Sequence, residues 1–146
     1  MVQHYDFAVD RPELGYLLTR LLREVTAREE PLLAADDLQM WDYVVLSALG
    51  SGHAPTQVEL AARTGRDKTR LIGNLDRLEA LGYLHRAPDP VDRRNRVVSL
   101  TAEGRRVLRR CRTAIHAMED DLLNGLGATE RAAFEDALVR LVTSND

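Results

Sequence analysis

A short charged loop between two predicted strands holds the residues best suited to bind an anion. Arg93, Arg94 and Arg96 occur within four positions, together with Asp89 and Asp92. Guanidinium groups bind phosphate, and they enter a narrow DNA minor groove because negative potential is concentrated there. Aspartates oppose such binding unless they orient the arginines, so we expect Asp92 to orient Arg94 at the loop tip. Arg93 or Arg96 would contact phosphate. A charged hairpin that only faces solvent is the alternative.

The helix predicted before this loop presents a second polar face. It is capped by Asp67 and extends to about Leu81. A helical wheel turns three leucines inward, and the opposite face or its flank holds Arg66, Thr69, Arg70, Gly73 and Arg77. Such a face is commonly just solvated, but here a hairpin follows that could reach DNA beside it. Gly73 costs about 1 kcal/mol relative to alanine; it either allows close approach to DNA or is merely tolerated.

Capping residues and glycines divide the chain into helices and two strands. The predicted helices are about 12–28, ending at or near Pro31; one from a cap at Asp36 or Asp37 to Gly50; Thr56 to Gly65, with Thr56 and Glu59 at capping-box spacing; Asp67 to Leu81; one from a cap at Thr101 to about Gly125; and 128–143. The predicted strands are 83–87 and 96–100. A helix-turn-helix followed by strand, charged loop and strand predicts a winged helix.

Charge is unevenly distributed along the chain. The net charge of the whole chain is −3, but residues 63–112 carry +8 and the remainder carries −11. A central basic block between acidic ends favours one surface that meets a polyanion. The single cysteine, Cys111, excludes an intramolecular disulfide framework. With no signal peptide at 1–10 and no apolar run long enough for a bilayer, we expect a cytoplasmic protein with no membrane partner.

The central region resembles the MarR (multiple antibiotic resistance regulator) family of transcription factors. The resemblance is carried by TQVELA, DKT, DRLEALGY, Arg86, DPVDRR and SLTAEG, in this order and spacing. It implies a mainly α fold with a small β-hairpin wing: one domain over 1–146, with a winged helix-turn-helix lobe at about 36–100 and N- and C-terminal dimerisation helices at about 10–30 and 101–143.

By position, the resemblance also assigns residue roles. It implies a homodimer, expected to be a repressor, on palindromic double-stranded operator DNA. Lys68, Thr69 and Arg70 would contact DNA from the helix, Arg94 would be the wing tip and Asp92 its brace. Thr56 and Gln57, at the start of the preceding helix, would contact phosphate. Arg70 stands where a small hydroxyl residue is common in the family, so we expect a different base preference there.

Many relatives in this family release DNA on binding a small, often phenolic, ligand or on cysteine oxidation. Candidate residues for an aromatic or phenolic effector pocket are Tyr16, Arg20, Trp41, Tyr43 and His116; core packing is the alternative for each aromatic. Arginines beside Cys111 could lower its pKa and make a redox sensor, but its place on an apolar stripe favours an inert buried thiol.

Other classes of function find less support in the sequence. The four histidines have no metal-ligand spacing with acids or with Cys111, so we expect no metal site and no cofactor. No Ser/His/Asp order, Gly-rich phosphate loop or paired-carboxylate site stands out, so we expect no enzyme. The remaining alternative is a winged helix that contacts another protein, although that function needs no arginine-tipped wing.

Overall fold

The computed structural model describes residues 11–144. Within them lie, in chain order, helices and two strands: α1 (Leu14–Ala34), α2 (Met40–Leu49), α3 (Gln57–Thr64), α4 (Lys68–Ala80), β1 (Leu84–Pro88), β2 (Arg96–Leu100), α5 (Ala102–Leu122) and α6 (Ala128–Thr143). The mainly α fold with a small hairpin wing is confirmed. Residues 1–10, where the sequence predicts no signal peptide, lie outside the described residues. No described helix combines the length and the hydropathy of a membrane span.

The junction between α1 and α2 differs from the prediction. Helix α1 continues one turn past Pro31, which is tolerated because a proline this near the helix end removes a single hydrogen bond. The predicted caps Asp36 and Asp37 are wrong. Gln39 occupies the N-cap position of α2, where its backbone N–H donates to Asp42 Oδ2 at 2.9 Å. Asp37 instead lies in the turn with a left-handed φ of 59°.

The helix-turn-helix forms at the positions that its capping residues predict. The Thr56 N–H donates to Glu59 Oε2 at 2.8 Å, and the Glu59 N–H donates to Thr56 Oγ1 at 3.2 Å, which completes a capping box. Gly65 ends α3 with a φ of 63°, a backbone conformation that glycine adopts without strain. Asp67 caps α4 by accepting the Thr69 N–H at 2.9 Å. These local bonds set the direction in which α4 leaves the turn.

The wing is an antiparallel hairpin that is attached to the helical lobe. Its register pairs Leu84 with Leu100 and Pro88 with Arg96, so β1 begins and ends one residue later than predicted. The Val98 N–H donates to the Pro55 carbonyl at 2.9 Å. The segment just before α3 therefore joins the edge of β2 and ties the wing to the start of the helix-turn-helix.

One apolar core joins the helix-turn-helix, the hairpin and α5. Its members, all at most 8% exposed, are Leu33, Leu38, Val45, Leu46, Leu49, Leu60, Leu71, Leu75, Leu78, Leu84, Val98, Leu100, Val107, Leu108, Cys111 and Ile115. Helix α5 can approach β1 closely because Gly104 has no side chain, and a Cβ atom there would overlap the Tyr83 carbonyl. The core thus holds the wing and α4 in one rigid lobe.

The two terminal helices leave apolar side chains outside this core. Helix α6 has no buried residue in the single chain. The large apolar side chains that are more than 40% exposed on α1 and α6 are Leu14, Tyr16, Leu17, Leu18, Leu22, Val139, Leu141 and Val142. A monomer normally exposes large apolar side chains singly. A group of them on two helices is typical of a protein–protein contact.

Candidate nucleic-acid interface

The wing tip holds one guanidinium group in a fixed orientation. Arg94 donates from Nε to Asp92 Oδ1 at 3.0 Å and from Nη2 to Asp92 Oδ2 at 3.1 Å, so the pair is bidentate. The Arg94 side chain is nevertheless 89% exposed. Arg94 holds the pKa of Asp92 below its ordinary value of 3.8, so this carboxylate stays ionised at neutral pH. The pair therefore presents a cation outward with its remaining N–H donors available.

The two aspartates of the loop also shape its backbone. Asp89 Oδ1 accepts the Val91 N–H at 2.9 Å, and Asp92 Oδ1 accepts the Arg94 N–H at 3.1 Å. Backbone bonds from the Asp89 N–H to the Asn95 carbonyl and from the Asn95 N–H to the Asp92 carbonyl close the loop. Aspartates thus occur among the arginines because they build the turn and orient its tip.

Arg93 and Arg96 are exposed on the same hairpin. Neither forms an ion pair with a carboxylate among residues 11–144. Arg96 begins β2 opposite Pro88, so it lies at the outer end of the wing with the tip. The wing therefore carries cations that are not neutralised by the described part of the chain.

The first turn of α4 presents the predicted contact residues to solvent. Lys68, Thr69 and Arg70 are all exposed. Arg70 Nε lies 3.8 Å from Asp67 Oδ2, and its side chain is 74% exposed, so this pair holds it weakly. Gly73 is exposed one turn later, and no atom lies within 4 Å of where its Cβ would be. Packing within the chain therefore does not explain this glycine.

The start of α3 is less open than the start of α4. Thr56 and Gln57 are half-buried at the first turn. The Thr56 hydroxyl already accepts the Glu59 N–H, although it can still donate its own proton. The helix N-terminus remains a favourable position for a phosphate.

Arg77 lies in an intramolecular network that the sequence does not predict. Its Nε and Nη2 donate to Asp42 Oδ2 at 3.2 and 2.9 Å, and Nη2 also donates to the Asp37 carbonyl. Asp42 is 0% exposed, whereas the Arg77 side chain is 44% exposed. Asp42 Oδ1 accepts from Asn74 Nδ2 at 2.8 Å. The network fastens α4 to α2 and to the turn before it.

Arg66 is positioned by the same part of the fold. Its guanidinium lies 4.3 Å from the centre of the Trp41 ring, a cation–π geometry, and its Nε donates to Asn74 Oδ1 at 3.2 Å. Asn74 therefore links Arg66 to the buried Asp42. No local sequence signal identifies these contacts, since Trp41 and Asp42 are on α2 and their partners are on or next to α4.

A second network fixes the wing to α4, the second helix of the helix-turn-helix and therefore its recognition helix. The Arg86 backbone N–H donates to Glu79 Oε2 at 3.0 Å, and Nη2 donates to Glu79 Oε1 at 3.3 Å and to Asp76 Oδ1 at 2.6 Å. The Arg86 side chain is 13% exposed. The sequence shows Arg86 only as one residue of the motifs that resemble the MarR family. Its position seven residues after Glu79 is the local signal that suggests the Arg86–Glu79 pair.

The predicted effector residues lie in different surroundings. Tyr16 and His116 are exposed, and Arg20 is half-buried. Tyr43 packs against the core, and Trp41 lies under Arg66. A cavity of about 390 Å³ between α1 and α2 is lined by none of the five; its residues are Thr26, Glu29, Glu30, Leu33, Ala34, Leu38, Gln39 and Met40.

Cys111 has the properties of an inert thiol. It is 1% exposed. Burial, with the nearby Asp36 carboxylate, raises the pKa of the Cys111 thiol to about 11. The lowered pKa that the neighbouring arginines suggested is therefore wrong. Within residues 11–144, no three His, Cys, Asp or Glu side chains are grouped so as to hold a metal ion.

A helix-turn-helix, an arginine-tipped hairpin and an exposed basic first turn of α4 together define a winged-helix DNA-binding regulator. Comparison with known proteins identifies its family. The model of the MarR family matches residues 36–95. The transcriptional regulator HosA of Escherichia coli O127:H6 is 30% identical over 134 residues, which cover 92% of this chain and 98% of HosA. The chain belongs to the MarR family.

Two further similarities concern repressors. The HTH-type transcriptional repressor NicR of Pseudomonas putida is 28% identical over 134 residues, which cover 92% of this chain and 85% of NicR. The structure of the transcriptional repressor CouR bound to a 23-mer DNA duplex aligns with a TM-score of 0.82 at 30% identity, over 89% of this chain and 92% of CouR. The chain is therefore a DNA-binding transcriptional regulator.

Proposed function

We propose that this protein is a homodimeric repressor that binds a palindromic operator through two wings and two recognition helices. The observation that carries the proposal is the bidentate Asp92–Arg94 pair, which holds an exposed guanidinium at the wing tip of a lobe whose α4 also has an exposed first turn. The similarity to the repressors NicR and CouR supports the sign of regulation. Sequence-specific binding needs both base contacts and positioning contacts to phosphate.

The exposed residues of the lobe divide between these two kinds of contact. Lys68, Thr69 and Arg70 enter the major groove and read base edges, and Arg94 enters the minor groove with Asp92 as its brace. Contacts to phosphate come from Arg93 and Arg96 on the wing and from Thr56 and Gln57 at the start of α3. Both Arg66 and Arg77, for which the sequence predicts DNA contact, brace α4 from within the lobe. The predicted DNA contact is untested, and Arg77→Met distinguishes it from the bracing role.

The dimer forms through the two ends of the chain. The winged-helix lobe spans about 36–100, and the dimerisation regions span about 10–30 and 101–143. The exposed apolar side chains of α1 and α6 support this division, because a single chain leaves them in water. A two-fold dimer places its recognition helices on half-sites about one helical turn apart. Light scattering of the purified protein tests it, and a monomer at micromolar concentration would contradict it.

A small aromatic or phenolic effector releases the DNA in this proposal. The helices that join the lobe to the dimerisation region carry the candidate residues, which are Tyr16 and Arg20 on α1, Trp41 and Tyr43 on α2, and His116 on α5. The site would therefore form only when these helices move or a second protomer completes it. Redox release through Cys111 is not favoured, because the thiol is buried with a raised pKa.

One experiment tests the proposed function as a whole. Purified protein is mixed with sheared DNA from its own genome, bound fragments are sequenced, and the enriched motif is compared with a shuffled version in a gel-shift titration. We expect a palindromic motif whose specific binding is at least about 10³-fold tighter than that of the shuffled DNA. Equal binding to all fragments would contradict the proposal and favour the winged-helix protein-interaction module.

A further inference from the structure

A cavity of about 300 Å³ opens between the C-terminal end of α2, strand β2 and the first half of α5. Its floor is apolar, since three of its leucines, Leu49, Leu100 and Leu108, are at most 8% exposed. Its rim carries the cations Arg105, Arg109 and Arg112, and His53 also lines it. This cavity lies away from the wing tip and shares no residue with the predicted effector set.

The arginines of α5 divide by the face of the helix on which they lie. Arg106 pairs with Glu103, and Arg110 pairs with Asp36. The three rim arginines, at positions 105, 109 and 112, form no ion pair with a carboxylate in the described part of the chain. They are three and four residues apart, so they are neighbours on the helix surface and repel one another. An anion bound from outside would relieve this repulsion.

The shape of the cavity favours a small molecule over a DNA backbone. Position 50 is a glycine, and a Cβ atom there would lie 2.7 Å from Leu108 Cδ2 and 3.1 Å from Arg112 Nη2. The absence of a side chain therefore allows Leu108 and Arg112 of α5 to pack closely against the end of α2, where they border the cavity. The phosphates of duplex DNA contact outward-facing cations such as Arg93. They would not contact a recessed floor of buried leucines.

We propose that this cavity binds a small organic dianion, with its charged group on Arg105, Arg109 and Arg112 and its apolar body on the leucine floor. Guanidinium groups bind phosphate and carboxylate oxygens through paired N–H donors. A site that combines an apolar lining with a few convergent polar groups is typical of small-ligand recognition. The proposal does not depend on DNA binding.

Isothermal titration calorimetry of the full chain with phenyl phosphate tests the proposal, because this probe joins a dianion to an apolar ring. Methyl phosphate lacks most of the apolar body, and benzyl alcohol lacks the charge. We expect one phenyl phosphate per chain and at least about tenfold weaker binding of either analogue. No binding of phenyl phosphate, or equal binding of benzyl alcohol, would overturn the proposal.

A matched pair of variants on α5 locates the site. Arg109→Gln removes a rim cation and should weaken phenyl phosphate binding about tenfold or more. Arg106→Gln makes the same change of charge on the other face and should leave binding unchanged. An equal loss in both variants would show non-specific attraction and overturn the proposal, as would weaker DNA binding by Arg109→Gln without any binding of phenyl phosphate. Arg105→Gln replaces Arg109→Gln if the latter does not fold.

Discussion

Replacing Arg77 by methionine separates a bracing role from a DNA-contact role. The variant keeps an unbranched apolar side chain but removes the guanidinium that donates twice to Asp42. This carboxylate is 0% exposed and would keep its bonds from Asn74 and from the Gln39 N–H. Removing one partner of a buried ion pair costs about 3–5 kcal/mol. Because these two donors remain and the Arg77 side chain is 44% exposed, we expect a loss of about 3 kcal/mol.

Arg70→Met on the same helix is the matched control. Arg70 is 74% exposed and lies 3.8 Å from Asp67, so its replacement should change the free energy of unfolding by less than about 0.5 kcal/mol. As a proposed base contact, Arg70 should cost about 1–3 kcal/mol of operator binding when it is replaced. Arg77→Met should leave operator affinity and its salt dependence unchanged.

Equilibrium unfolding in urea measures the stabilities, and binding of the selected operator at several salt concentrations measures the slopes. The reasoning is refuted if Arg77→Met unfolds at the wild-type urea concentration and binds DNA with a flatter salt dependence. That pair of results would make Arg77 a phosphate contact and would show that it does not brace α4.

Three further predictions concern the interior and one helix face. Native Cys111 should react with a thiol reagent at pH 8 at least about 100-fold more slowly than in urea, since a pKa of about 11 in place of 9.0 leaves that much less thiolate. Because the pKa of Cys111 is higher in the folded chain than in the unfolded chain, the neutral thiol contributes to the stability of the fold. This contribution is complete below pH 9 and falls as the pH rises toward 11. Unfolding titrations that show no such fall would contradict the raised pKa. Gly73→Ala should raise the free energy of unfolding by about 1 kcal/mol, since open space surrounds the new methyl group; a loss of stability in urea would exclude this explanation. Gly104→Ala should lower it by about 1–3 kcal/mol, since the methyl group meets the Tyr83 backbone, and an unchanged melting curve would count against the close approach of α5 to β1.

The features that the sequence predicts well are those fixed by neighbouring residues. The capping box of Thr56 and Glu59 and the cap at Asp67 need partners two or three positions away. The pairing of Asp92 with Arg94 is equally local. A helix boundary, a turn and a bidentate pair can therefore be inferred from spacing alone.

The features that the sequence does not predict depend on tertiary contacts. Arg77 and Asp42 are 35 positions apart, and a helical wheel shows only that an arginine faces away from the leucines. The predicted α2 cap is wrong because Asp36 and Asp37 are both residue types that cap helices, whereas the chain turns through Asp37 and begins the helix after Gln39. The proposed effector set follows from residue type alone, and it stays a prediction.

The affinity of Arg94→Ala for the selected operator tests the central claim most directly. Arg106→Ala, on α5, is the matched control because it removes the same charge outside the proposed interface. Fluorescence anisotropy at constant salt should show that Arg94→Ala binds about 1–3 kcal/mol more weakly than wild type, while Arg106→Ala binds like wild type. Equal affinity of wild type and Arg94→Ala would contradict the claim that the wing reads DNA.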